Sequence, residues 1–128
     1  MNYLLDTHVL IWYGEGNPQL PDRIRTIIAN PQNQVFVRHA SIWEMAIKMS
    51  LNKLTLTIQL PDWEHLLLSK GFASLLTSFR HFQGVLTLPF YHQDPFDRLL
   101  IAQAIAEDFT VITHDQKFRP YRVKLELF

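Results

Sequence analysis

The segment that follows Asp94-Pro95 constrains the fold more than any other. Asp94 suits a helix N-cap and Pro95 the first helical position, and the helix they open runs to about Asp108. Phe96, Leu99, Leu100, Ile101, Ala102, Ala104, Ile105 and Ala106 make it apolar almost all round. Such a helix must be covered on nearly every side. A chain of 128 residues supports one domain with one core. The expectation is a single domain over residues 1–128 with this helix packed inside a layered sandwich.

The rest of the chain says what covers it. Tyr3-Leu4-Leu5, Val35-Phe36-Val37, Phe109 to Thr113 and Val123 to Phe128 read as strands, and Phe72 to Leu76 as a short, ambiguous one. Between them lie helical patterns. Val9 to Tyr13 is stopped near Gly14 and Gly16, and Pro21 to Ala29 is broken by Asn30-Pro31. Ser41 to Met49 carries Ile42, Met45, Ala46 and Met49 on one face, Asp62 to Ser69 opens on Asp62 as cap, and Ser78 to Val85 is weakly helical. Strands alternating with helices, and few hairpin signals, predict an α/β fold: a central, mostly parallel β-sheet with α-helices on both sides.

Composition narrows the function. With 48% apolar and 19% charged residues the chain is not of the disordered type. There are no cysteines, which excludes disulfides, thiolate metal sites and cysteine nucleophiles. The formal net charge is zero, so a nucleic-acid partner would be held by a local patch rather than by overall charge. The apolar start, MNYLLDTHVLIWYGEG, lacks a basic leader and carries an acid inside the run, a poor signal peptide. No apolar stretch reaches the roughly 20 residues of a membrane span. A cytoplasmic protein with no membrane partner is the expectation.

Several of the 12 acidic residues sit where an acid is costly. Asp6 closes one apolar strand and Asp115 follows another, and ligands collect at the carboxyl ends of parallel strands. Asp97 lies in the first turn of the buried helix, and Glu44 lies in an apolar helix directly after Trp43. Each has a plain structural reading. Asp97 would favour the helix dipole, Asp6 or Thr7 would cap the next helix, and Asp115 would sit in a turn. Together they make a different case: converging carboxylates repel one another unless cations compensate. Hard oxygen ligands suit Mg²⁺ or Mn²⁺, and such sites hydrolyse phosphodiesters.

Three segments carry a resemblance: LLDTHVLIW (Leu4 to Trp12), SIWEMAIK with NKL (Ser41 to Lys48, Asn52 to Leu54), and HQDPFDRLLIAQA with VITHDQKF (His92 to Ala104, Val111 to Phe118). The chain resembles the PIN-domain ribonucleases, and among them the VapC-type toxins of toxin–antitoxin pairs, along essentially its whole length. The resemblance implies a PIN fold with an acidic pocket holding one or two divalent ions, Mg²⁺ or Mn²⁺. Asp6, Glu44 and Asp97 match the core acids and Asp115 the more variable fourth. Asp6 and Asp97 are then the first metal ligands, and Glu44 and Asp115 bind a second ion or orient the attacking water. The resemblance also implies an RNA substrate, a small antitoxin partner and a homodimer. The sequence departs from the family at Val37-Arg38-His39-Ala40, where small residues and Ser are usual, and at Asn52, where Gly is common. Arg38 and His39 would supply cations near the site or lie on its rim.

Around the acids, Thr7 and Ser41 are candidates for supporting hydrogen bonds or for holding the scissile phosphate. Arg98 is expected to pair with Asp94 one turn back, or to contact phosphate. His8, His92 and His114 are expected to support the site rather than react. Trp12, Trp43, Phe96 and Phe118 are candidates for base stacking, core packing or an interface. Three rivals remain. A haloacid-dehalogenase-type phosphatase wants a second Asp two residues after the first, where this chain has His8. The others are a PIN-like interaction module without activity and a DNA-directed nuclease on the same fold.

Overall fold

In the computed structural model, which describes residues 1–128, strand β1 (Asn2–Leu5) runs up the middle of the molecule. Its side chains alternate between two cores, as the two-residue period of a strand requires. Tyr3 and Leu5 join one cluster with Val35, Val37 and Ile112, while Leu4 joins a second with Val111, Leu100 and Ile101. On one side of β1 lie β2 (Gln34–Arg38) and then β3 (Ala73–Leu75), and on the other β4 (Thr110–Thr113) and β5 (Lys124–Leu127). All four pairings are parallel, in the order β3-β2-β1-β4-β5. The expected mostly parallel sheet is thus wholly parallel, and both its faces are covered by helices.

The first core is closed by α1 (Thr7–Glu15), α2 (Asp22–Ala29), α3 (His39–Ser50) and α4 (Leu60–Ser69), which contribute Val9, Leu10, Ile24, Ile28, Met45 and Trp63. The second is closed by α5 (Phe79–Thr87) and α6 (Pro95–Glu107) and by the Gln116–Phe118 turn of 3-10 helix, with Leu100, Ala104, Phe118 and Tyr121. Leu100, Ile101, Ala102 and Ala104 of α6 are buried as expected, whereas Ile105 is exposed. No helix is long and apolar enough to cross a membrane.

Local departures from the expected boundaries have physical causes. Gly14 does not stop α1. It lies inside the helix, and a Cβ there would meet the Trp63 ring at 2.3 Å, so it is a point of close approach. Gly16, left-handed at φ 66°, ends the helix. Asp62 does not cap α4. The helix starts two residues earlier at Leu60, with Gln59 at the cap, and Asp62 lies in its first turn. Asn52 adopts φ 56°, a left-handed conformation that Gly takes most readily and Asn next.

Candidate active site

The strand order reverses between β1 and β4, and at such a switch point the chain leaving one strand turns away from the chain leaving the next. Asp6 is the first residue past β1, and its N–H still donates to Ile112 O across the gap, at 3.1 Å. Asp115 lies two residues past β4. Arg38 ends β2 and leads directly into α3, which places Glu44 above the same edge. Asp94 caps α6, accepting from Asp97 N at 3.0 Å, and puts Asp97 in the first turn. Asp6, Glu44, Asp97 and Asp115 line one cleft of about 430 Å³, shared with Asp94, His8, Trp12, Lys48, His114 and Lys117.

Each carboxylate is turned to a protein donor. Thr113 Oγ1 donates to Asp6 Oδ2 at 2.7 Å, and the same oxygen accepts from Asp115 N at 3.0 Å. Asp115 Oδ1 accepts from Lys117 N at 2.9 Å. Lys48 Nζ donates to Glu44 Oε2 at 2.7 Å, one helical turn on. Thr7 Oγ1 lies 2.8 Å from Glu44 Oε1 and 2.9 Å from Ser41 Oγ. Thr7 has one proton and an ionised Glu44 can only accept, so the Ser41 hydroxyl donates to Thr7. His92 is set between Tyr121 Oη, 2.8 Å from Nδ1, and Asp97 Oδ2, 3.3 Å from Nε2. A Tyr121 proton on Nδ1 leaves Nε2–H to face the carboxylate.

The electrostatics are those of too many acids in one place. Burial pushes the Asp97 carboxyl up to about 8, and Asp6, Asp94, Asp115 and Glu44 push in the same direction. Burial also raises Asp6, despite the Thr113 hydrogen bond and the nearby His8 and Arg38. Arg38, which does not line the cleft, is buried, its guanidinium pulled down by burial and held up by Asp6, Glu44, Asp97 and Asp94. Burial works against the Lys48 ammonium, but its contact with Glu44 and the charges of Asp94 and Asp97 leave it above its ordinary value. The donor set is all oxygen and short of positive charge, which fits a hard divalent cation. No three acids or histidines are drawn together as a finished ion site, so binding one would require side chains to leave their present partners.

The remaining candidates sort differently. Thr7 and Ser41 are buried behind Glu44 and do not line the cleft, which suits support of the carboxylate and not contact with phosphate. Arg98 is a correction. It is buried on the α5 side of α6, donating to Pro89 O at 2.8 Å and Leu88 O at 3.0 Å, with Phe90 packed 3.9 Å from its guanidinium carbon. It neither pairs with Asp94 nor faces the cleft, because the direction α6 gives this side chain leads to the bare carbonyls at the end of α5. Arg38 is not a rim residue, whereas His39 is exposed. Thr113, Lys48 and Lys117 had no place in the sequence reading of the site. The only signal for Lys48 was its four-residue spacing from Glu44.

A parallel sheet with five carboxylates in the cleft at its switch point defines an α/β protein with an acid-lined ligand edge. The PIN domain model matches residues 3–124, and the chain belongs to the PIN-domain family, a family of nucleases. Among curated proteins no match is found. Solved structures with the same fold include VapBC2 from Rickettsia felis bound to a DNA fragment from their promoter (19% identity, 99% of this chain and 98% of that one, TM-score 0.74). FitAcB from Neisseria gonorrhoeae is similar at 20% identity, over 96% and 95% of the two chains, with TM-score 0.65. VapBC-1 from nontypeable Haemophilus influenzae follows at 16% identity, 98% and 97% coverage and TM-score 0.60.

Proposed function

We propose that this chain is a metal-dependent endoribonuclease of the VapC type, the toxin of a toxin–antitoxin pair. The observation that carries the reading is that Asp6, Glu44, Asp97 and Asp115, from four separate segments, line one cleft. Membership of a nuclease family and structural likeness to VapBC and FitAcB support it.

Asp6 and Asp97 are the residues that would hold Mg²⁺ or Mn²⁺, with Glu44 and Asp115 orienting the attacking water or sharing the metal. A bound divalent ion would supply charge for the phosphate and make water a better nucleophile. The chain's own residues do the rest. Thr113 and Thr7 fix the rotamers of Asp6 and Glu44, and Asp94 fixes the turn that presents Asp97. Lys48 and Lys117 line the cleft and offer cations to an approaching phosphate. Trp43, 63% exposed on α3 and edge-on to Phe96, offers a stacking surface for an unpaired base, which favours single-stranded RNA over a duplex. The antitoxin and a homodimer belong to the same reading, and the cytoplasm would be its place of action.

The test is end-mapping of total cellular RNA incubated with the full chain, free of partner, and Mn²⁺ or Mg²⁺. Discrete new ends with 5′-phosphate and 3′-hydroxyl are expected, lost with a chelator and in Asp97→Asn. A folded sample that cuts no RNA under either metal would sink the reading and leave an interaction module. Cleavage of DNA alone would give the DNA-directed nuclease.

A further inference from the structure

Arg38 is a costly side chain to bury. It is 1% exposed, it forms no salt bridge, and its Nε has no hydrogen-bond partner. Its Nη1 donates only to Phe96 O at 3.2 Å and Gln103 Oε1 at 3.3 Å, both neutral acceptors. A buried guanidinium without an ion pair is strongly disfavoured unless a field of opposite sign compensates. The field comes from Asp6, Glu44, Asp97 and Asp94. Arg38 also joins the two helices that bring acids from different parts of the chain. It leads into α3, which carries Glu44, and its donor holds the carbonyl of Phe96, next to Asp97 in α6.

The charge count of the cleft follows from these residues. Five carboxylates line it: Asp6, Glu44, Asp94, Asp97 and Asp115. Two lysines, Lys48 and Lys117, line it with them, and the buried Arg38 lies close enough to feel Asp6, Glu44, Asp97 and Asp94. With the carboxylates ionised, as ion binding requires, and the histidines neutral, five negative charges face three positive ones. The two left over are the charge of one divalent ion. The second oxygen of Glu44 is already committed, to Lys48 at 2.7 Å, and its first to Thr7.

We propose that Arg38, with Lys48, is a built-in substitute for a second metal ion, and that the cleft takes one divalent cation per chain. This rests on the metal-dependent nuclease reading of the same cleft. Arg38 is a positioning residue: it holds the first turn of α6 through Phe96 O and supplies fixed positive charge from outside the cleft, without touching substrate.

The experiment is Mn²⁺ binding to the partner-free full chain, by equilibrium dialysis with the free ion read by electron paramagnetic resonance. Wild type is expected to saturate at one Mn²⁺ per chain. Arg38→Lys, which keeps the charge, is expected to keep that stoichiometry. Lys48→Met removes a half-exposed surface charge and is expected to tighten Mn²⁺ about tenfold. The double variant Arg38→Met, Lys48→Met leaves four charges uncompensated and is expected to bind two ions. If the double variant does not fold, Lys48→Met alone carries the test. Two ions in wild type, or unchanged affinity in Lys48→Met, overturns the inference. No Mn²⁺ bound by folded wild type overturns the metal-dependent reading itself, and the inference with it.

Discussion

Helices α3 and α6 each bring one carboxylate to the cleft, and the two acids fare differently. Glu44 has both oxygens occupied, by Thr7 from α1 and by Lys48 from its own helix. Asp97 has one long contact, His92 at 3.3 Å, and is pushed to about 8 by burial and by four neighbouring acids. A helix N-terminus normally favours an anion. At α6 the Asp97 N–H is spent on Asp94, the cap, so the first turn adds an acid beside Asp97 and takes away its local donor. The protein has stabilised one acid and left the other strained, and the strained one is where a cation would gain most.

The comparison breaks first at Asp97. Asp97→Asn is expected to lower metal-dependent cleavage by about 10³-fold or more, the loss of several kcal/mol of charge stabilisation. It is also expected to raise the melting temperature in EDTA at neutral pH, because it removes an acid the fold disfavours. A lower melting temperature in that variant would mean that Asp97 is stabilising as it stands. The next effect is a pH dependence. The Asp97 carboxyl is pushed up to about 8 in the fold from an ordinary value of 3.8, so between those values the folded chain binds more protons than the unfolded one. The stability this group contributes is complete below about 4, falls as pH rises, and is gone above about 8. Asp6, also raised by burial, adds a slope of the same sign. Melting in EDTA is therefore expected at higher temperature at pH 6 than at pH 8.5, with a shallower slope in Asp97→Asn. Mg²⁺ competes with the proton, so its stabilisation should be larger at pH 8.5.

The same contrast shows what the sequence makes legible. Asp6 and Asp115 stand out because an acid closing an apolar strand in an α/β chain marks the ligand-binding edge, and the structure puts both in the cleft. Asp94-Pro95 announces its helix through local chemistry alone, and the cap forms as read. The supports are less visible. Thr7 was a candidate, but nothing in the sequence shows that its hydroxyl bridges Ser41 and Glu44, or that Thr113 bridges Asp6 and Asp115. Those contacts join residues 34, 37 and 107 positions apart, or depend on a strand end, and only the tertiary fold brings them together. The expected Arg98–Asp94 pair does not form, because the one-turn pairing rule is local while the acceptors of Arg98 are carbonyls released where α5 ends. Arg38 follows an apolar strand, where an arginine ordinarily turns to solvent, and its burial is set by α6 closing over it.

Two smaller changes sharpen the comparison from opposite sides. Thr7→Val removes the proton given to Glu44 and the acceptor used by Ser41, all three residues being buried. A cost of about 1–3 kcal/mol in urea unfolding is expected, with the pH slope assigned to Asp97 retained. A flattened slope would mean that Glu44, the last of the four acids that raise Asp97, acts on it more strongly than its rank implies.

The smallest effect is the most discriminating. Asp94→Asn keeps a side-chain oxygen to accept from Asp97 N, and Asn caps helices about as well as Asp, so α6 should lose no stability through its cap. What it removes is one of the charges that raise Asp97, ranked after burial and Asp6. The midpoint of the Asp97 titration, followed by NMR in metal-free protein, is expected to move down, and by less than Asp6→Asn would move it. Asp94→Ala removes the same charge and the cap together, so its extra loss of stability over Asp94→Asn isolates the cap, about 1 kcal/mol. A midpoint that stays put in Asp94→Asn would show that the acid at the cap is electrostatically silent and that burial and the other acids strain Asp97 without it.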